Sequence, residues 1–170
     1  MRSLLMLRHA KSDRQVDYGG DDRLRPLAGR GRRAAKTMGR FLSATGQVPD
    51  RAIASPALRA QQTLELARRS GEWSCAVETS DGLYGGPADV LGAVQRGGGE
   101  ATTLLIVGHE PAWSAVASTL TNGARLSLPT ASLLRLDFDS DDWTNLEGDG
   151  QIRWLVTPRL LEKAPRTQRS

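Results

Sequence analysis

The chain holds only two histidines, and each stands where a short apolar run stops. Leu4-Leu5-Met6-Leu7 leads into Arg8-His9, and Leu104-Leu105-Ile106-Val107 leads into Gly108-His109-Glu110-Pro111. Apolar runs of this length, bounded by Gly, Pro or charge, read as buried strands. Open α/β sheets keep their ligand sites outside the carboxyl ends of parallel strands. Two arginines join the pattern: Arg8 beside the first imidazole, and Arg59 in Ser55-Pro56-Ala57-Leu58-Arg59 after a third apparent strand. Two imidazoles and two guanidiniums on one sheet edge make an anion site with a nucleophile in it. A neutral imidazole attacks well when one ring nitrogen is held as N–H and the other is free. Flanking positive charge disfavours imidazolium, so Arg8 and Arg59 would keep His9 neutral. The same arginines suit bidentate contact with phosphoryl oxygens. Phosphoryl transfer draws most of its catalysis from positioning and charge around those oxygens. Taken singly, Arg59 reads as a solvated helix residue and His109 as a capping imidazole bonded to a loop carbonyl. Their joint placement favours a site.

The elements that must position these groups follow from periodicity. Strand signals fall near 3–8, 50–54, 74–79, 102–107, 131–138 and 151–156. Residues 30–45 set Ala34, Ala35, Met38, Phe41 and Leu42 on one helical face, with Gly46 as a stop. Ser55-Pro56 offers an N-cap followed by proline at the first helical position, opening a helix through Leu58, Leu64 and Ala67. Pro87 opens a helix carrying Val90, Leu91 and Val94, and Pro111 one that turns Trp113, Val116, Ala117 and Leu120 inward. Strands alternating with helices predict a three-layer α/β/α sandwich around a mostly parallel central sheet. Segment 11–26 is charged, contains glycine and lacks periodicity. A loop there, directly after His9, is placed to cover the site or bind substrate. Gly97-Gly98-Gly99 reads as a flexible turn, since no Lys-Ser/Thr follows it as a phosphate loop requires. The acidic stretch Asp137 to Asp149 lacks calcium-loop spacing and reads as a solvated hairpin.

A length of 170 residues fits one domain, expected over 1–160, with 161–170 a polar basic tail. The 23 Lys and Arg against 19 Asp and Glu give a net charge of +4, dispersed rather than striped. The pI near 9.8 alone could suggest nucleic acid, but two Phe and two Tyr offer few stacking surfaces. No nucleic-acid partner is expected. A single cysteine, Cys75, excludes an intrachain disulfide and a Cys-rich metal site, and two histidines make a zinc site unpromising. No metal or other cofactor is expected. The first apolar run is too short for a signal-peptide core and no stretch approaches a membrane span, so a cytoplasmic protein without a membrane partner is expected. With no obvious exposed apolar helix face, the expected state is a monomer.

Arg8-His9-Ala10, the segment Ser55-Pro56-Ala57-Leu58-Arg59-Ala60-Gln61-Gln62-Thr63, and Val107-Gly108-His109-Glu110-Pro111 resemble the histidine phosphatase superfamily, with its phosphoglycerate-mutase-like fold. Arg25-Pro26-Leu27 followed by Gly31 resembles the segment before the first helix in that family. The short chain and the Arg8-His9-Ala10-Lys11-Ser12 opening are similar to the phosphohistidine phosphatase (SixA-type) branch. The resemblance implies that His9 is the nucleophile that becomes transiently phosphorylated. It implies that Arg8, Arg59 and His109 bind the transferred phosphoryl group, with His109 protonated once phosphate is bound. Arg25 is a further phosphate ligand on this reading. Thr130 falls where members of the branch bring a small polar residue near the site, and Glu110 is a further substrate-binding candidate. The implied partner is a protein carrying phosphohistidine, or a small phosphorylated substrate.

The chain also departs from the family pattern. Ala10 stands where many relatives have glycine, and Ala28 stands where many have a capping threonine. Mutase-like and phosphoesterase relatives carry a glutamate after the third strand as proton donor. Here the region runs Asp81-Gly82-Leu83-Tyr84-Gly85-Gly86-Pro87-Ala88-Asp89, and Asp89 is the nearest candidate, with an exposed helix-start carboxylate as its plainer reading. A positioned acid is worth about 10²–10⁴ in rate to an alkoxide leaving group. A phosphoimidazole can leave as neutral imidazole once its ring is protonated, so lack of the acid favours N–P substrates. Two alternatives stay open at this point. One is a small-molecule phosphomonoesterase with Asp89 or Glu110 as donor; the other is a noncatalytic module that binds phosphate or phosphopeptide.

Overall fold

The computed structural model describes residues 1–146 and 148–163. Its strands are β1 (Arg2–Arg8), β2 (Arg51–Ala54), β3 (Ala76–Thr79), β4 (Thr103–Gly108), β5 (Leu133–Phe138) and β6 (Gln151–Val156). They form one sheet in the order β3-β2-β4-β1-β5-β6. The pairs β2/β3, β2/β4 and β1/β4 are parallel, whereas β5 runs antiparallel to both β1 and β6. The sheet is therefore mixed, with a parallel half that carries the two histidines.

Alternation along the central strands divides the core in two, because successive side chains point to opposite faces. Leu4, Met6, Leu104, Ile106, Leu134 and Leu136 join one buried cluster with Val90, Val94, Trp113 and Val116. Those partners come from α3 (Pro87–Gly97) and α4 (Ala112–Leu120). Leu5, Leu7, Leu105, Val107 and Leu133 join the other cluster, against Met38, Leu42, Leu64 and Ala67 of α1 (Gly29–Ala44) and α2 (Leu58–Gly71). A strand buried on both faces must be apolar at every position. That is why the two runs before the histidines show no polar alternation.

Several expectations shift in detail. The helix placed after Ser55-Pro56 begins at Leu58, with Ala57 as its cap residue, and Ser55 does not cap it. Asp137 is not part of a solvated hairpin. It is 4% exposed in β5, where it accepts from Ser3 Oγ and pairs with Arg135 and Arg153. The turn at Gly97-Gly98-Gly99 is packed rather than loose, because a side chain at Gly98 would run into the Trp143 ring. The boundary expected at 160/161 falls inside α5 (Pro158–Lys163), and the remainder of the expected tail, 164–170, lies outside the described residues.

Candidate functional site

Strand register brings the two histidines together. Arg8 pairs with Gly108 across β1/β4, and Ala54 pairs with Val107 across β2/β4, so three strands end level. The chain leaving β1 stays in register for one more residue, since the His9 amide donates to the Gly108 carbonyl at 2.9 Å. The Ser55 amide does the same to Val107, also at 2.9 Å. Neighbouring strands lie about 4.8 Å apart, and the His9 and His109 ring centroids are 5.0 Å apart.

His9 is 7% exposed, and its Nδ1 lies 2.8 Å from the Ala10 carbonyl oxygen. A carbonyl only accepts, so Nδ1 carries the hydrogen and donates it. Nε2 is left with the lone pair, and among the described residues it makes no hydrogen bond to protein. Burial pushes the imidazole down to about 4, with Arg59, Arg8 and Arg25 acting in the same sense and the bond to Ala10 opposing. The arginines thus contribute as expected, but burial is the larger cause. The loop after His9 is fixed from below: the Ala10 amide donates to Thr63 Oγ1 on α2, and the Lys11 carbonyl accepts from the Ala28 amide ahead of α1. From the other side, the Ala131 amide donates to the carbonyls of both Arg8 and His9, with Ala131 held at φ +60°. A left-handed alanine is strained by about 1–2 kcal/mol, and strain of this kind gathers at functional sites.

His109 packs against His9 on one side and meets the Tyr84 ring edge-on at 5.3 Å on the other. Its Nε2 is 2.8 Å from Ser55 Oγ, and its Nδ1 is buried without a protein partner. Burial, then His9 and Arg59, push it down to about 3, while Asp22 opposes them. Arg59, 5% exposed, donates from Nη1 to the Asp22 carbonyl at 2.7 Å and pairs through Nη2 with the Asp22 carboxylate at 2.9 Å. Arg25 grips the same carboxylate through Nε at 3.0 Å and Nη2 at 2.8 Å, and also donates to Ser12 Oγ. Arg8 donates from Nη1 to the Leu128 carbonyl at 2.7 Å. Its guanidinium is held below its ordinary value by burial, against the opposing charge of Glu110. Arg8 Nε, Arg59 Nε and His109 Nδ1 are all buried without a partner. Native proteins pair most of their buried polar groups, so two guanidinium Nε donors and a neutral ring nitrogen left over in one cluster suit the oxygens of an anion. Among the described residues, no group of three or more His, Cys, Asp or Glu is placed to hold a metal ion.

The model of the histidine phosphatase superfamily, branch 1, matches residues 4–84. An uncharacterized protein of Mycobacterium tuberculosis is 40% identical over 115 residues, covering 67% of this chain and 69% of that one. The chain belongs to the histidine phosphatase superfamily. It is accordingly a phosphatase, and its substrate is a phosphorylated compound. A Mycobacterium leprae relative of this histidine phosphatase, also uncharacterized, is 33% identical over 83% of this chain and 92% of its own. Among solved structures, the protein histidine phosphatase SixA complexed with tungstate superposes with a TM-score of 0.80 at 22% identity, covering 94% of this chain and 99% of that one. A Nakamurella multipartitia protein put forward as a phosphohistidine phosphatase SixA gives 0.78 at 27% identity, over 92% and 96% of the two chains. A mycobacterial glucosyl-3-phosphoglycerate phosphatase gives 0.64 at 18%, over 92% and 98%. The fold is thus shared by phosphatases of different substrates.

Within this histidine phosphatase, His9, Arg8, Arg59, His109 and Arg25 lie in one cluster. The other candidates are committed elsewhere. Asp89 is exposed, and its carboxylate accepts from the Gly86 amide at 3.0 Å, closing the first turn of α3. Glu110 accepts from the amide and hydroxyl of Ser114 in α4, at 3.2 and 2.8 Å, and reaches the site only as a charge felt by Arg8. Thr130 lines a neighbouring cavity with Lys11. Sequence reasoning missed Asp22, Ser55 and Tyr84 as neighbours of the cluster. Ser55 reads from sequence as a helix cap, but its Oγ lies against His109. Asp22 and Tyr84 lay in loop sequence whose partners only the fold supplies, 37 and 25 residues away at Arg59 and His109.

Proposed function

We propose that this phosphatase hydrolyses protein phosphohistidine, with no metal ion, through a phosphorylated His9. The observation that carries the reading is the state of His9 itself: Nδ1–H is spent on Ala10, and Nε2 keeps its lone pair in a cluster where the Nε donors of Arg8 and Arg59 have no protein partner. The free ring nitrogen of the substrate phosphohistidine first takes a proton from solvent; His9 Nε2 then attacks the phosphorus, the substrate P–N bond breaks, and the substrate imidazole leaves neutral with that proton. Arg8, Arg59, Arg25 and His109 take the oxygens of the transferred phosphoryl group. An arriving dianion reverses the field at His109 and favours its protonation. Water then attacks the phosphorus of phospho-His9, releasing phosphate and restoring the imidazole. Asp89 and Glu110 are both bonded to helix-terminal amides, so neither supplies the acid that an alkoxide would need. That deficit supports an N–P substrate over an ester.

The experiment is rapid quenching with a labelled phosphohistidine substrate. The expected result is acid-labile, alkali-stable phosphate on His9, absent from His9→Ala, whose turnover falls to background. Turnover by His9→Ala at the rate of the unaltered enzyme would overturn the nucleophile. A marked preference for sugar or nucleotide monophosphates over a phosphohistidine protein would overturn the substrate.

A further inference from the structure

A cavity of about 570 Å³ opens beside the His9 cluster, on the β5/β6 side of the same sheet edge. Four separate parts of the chain line it. Lys11 comes from the loop two residues past His9, Arg30 and Arg33 from the first turns of α1, and Arg159 with Glu162 from α5. Thr130 closes the side nearest the site, next to the Ala131 amide that holds the carbonyls of Arg8 and His9. The cavity is thus joined by backbone to the cluster, yet shares none of its guanidiniums. Four cations face one carboxylate there. Among the described residues, none of Lys11, Arg30, Arg33 and Arg159 has a salt bridge.

Resting on the reading of a phosphohistidine protein as substrate, we propose that this cavity is a docking site for an acidic segment of that protein. The form of the lining selects a protein surface. Arg30, Arg33 and Arg159 are exposed and spread over two helices, whereas a tight cradle for a small dianion draws on buried, preorganised donors of the kind found around His9. Guanidiniums spread in this way meet carboxylates on a facing surface, each capable of a bidentate pair. Exposed charges at the rim of an interface act chiefly on encounter rate and salt dependence, and they exclude partners of the wrong sign. A partner docked here would sit next to the catalytic loop, so its phosphohistidine would need to reach only past Lys11 and Thr130.

The test compares an acidic phosphohistidine-bearing phosphotransfer domain with free phosphohistidine, using the full chain and the variant Arg30→Glu, Arg33→Glu, Arg159→Glu. For the domain, kcat/KM is expected to fall about tenfold or more, mainly through KM, and to lose much of its salt dependence. Free phosphohistidine is expected to be cleaved as fast as before. A variant that keeps the original KM for the domain overturns the docking site and leaves the proposed function standing. Equal losses on both substrates also overturn it, since the arginines would then act on the reacting group or on folding. An unaltered enzyme that cleaves neither substrate overturns the docking site and the proposed function together. Should charge reversal reduce the folded fraction, Arg30→Ala with Arg159→Ala carries the same outcomes at smaller size.

Discussion

Asp22 sets its carboxylate against Arg25 and Arg59 and stacks its neighbour Arg23 over Tyr84, with 4.7 Å from guanidinium to ring centroid. Burial raises the carboxyl, but Arg25 and Arg59 outweigh it and leave Asp22 below its ordinary value, hence ionised. An ionised carboxylate on two of the site's guanidiniums competes with any incoming oxyanion for the same charge. Asp22→Asn removes that charge while keeping an acceptor oxygen, and the Asp22 carbonyl still holds Arg59 Nη1. We expect inhibition by inorganic phosphate to tighten several-fold, read as a lower inhibition constant at fixed pH and salt. A weaker inhibition would mean that the carboxylate serves to aim Arg59 rather than to compete. At this scale the sequence was legible where a residue ends a buried run, as His9 and His109 do, or sits in a dense motif, as Arg59 does. It was illegible where a polar side chain bonds backbone far away. Gln62 accepts from the Leu27 amide and Thr63 from the Ala10 amide, and nothing local marks either bond.

At the scale of elements, the catalytic loop rests on two helices that cross unusually close. A methyl group at Gly39 of α1 would run into the Ala67 carbonyl of α2, and one at Gly31 would run into the Lys11 backbone. Both obstacles are main chain, which cannot rotate aside, so either substitution must push α1 outward. Overpacking of this kind costs about 1–3 kcal/mol. Gly39→Ala is expected to lower the unfolding free energy, read from denaturant titration, by about 1–3 kcal/mol with kcat largely kept, because the contact is remote from His9. Gly31→Ala is expected to lower kcat as well, since the Lys11 backbone it displaces lies two residues from the nucleophile. Equal retention of kcat in both variants would count against the loop's position being set by α1. The strands β1, β2 and β4 and their helices are legible in sequence because these strands bury alternate side chains on two faces. The antiparallel placement of β5 could not, since Leu133-Leu134 and Leu136 read the same in either direction. The start of α2 shifted by two residues because Ser55 Oγ lies against His109 rather than capping the helix.

For the whole molecule, the site dictates how stability varies with pH. His9 and His109 are held at about 4 and about 3 in the folded chain, against 6.5 when free of it. Below pH 6.5 the unfolded chain therefore binds protons that the folded chain refuses, and stability falls as pH drops. The fall eases only when the folded imidazoles themselves titrate, near 4 and below. Asp22, Asp50 and Asp137 are held below 3.8 by their hydrogen-bonding partners, so the stability they contribute persists above that value and is lost at lower pH. Histidines thus govern the range from 6.5 to about 4, and carboxylates govern the range beneath it. Between pH 6.5 and 5 the expected slope of the two imidazoles together is about 2 kcal/mol per pH unit. Chemical denaturation across that range measures it, and His9→Gln with His109→Gln should flatten it. Saturating phosphate should flatten it too, because a bound dianion favours the imidazolium forms that the empty cluster of cations opposes. If the slope survived both changes, the acid sensitivity would belong to other groups. Nuclear magnetic resonance of the two imidazoles checks the origin directly: both should remain neutral at pH 6 in the absence of phosphate, and a midpoint near 6.5 for either would show that the fold does not desolvate that ring.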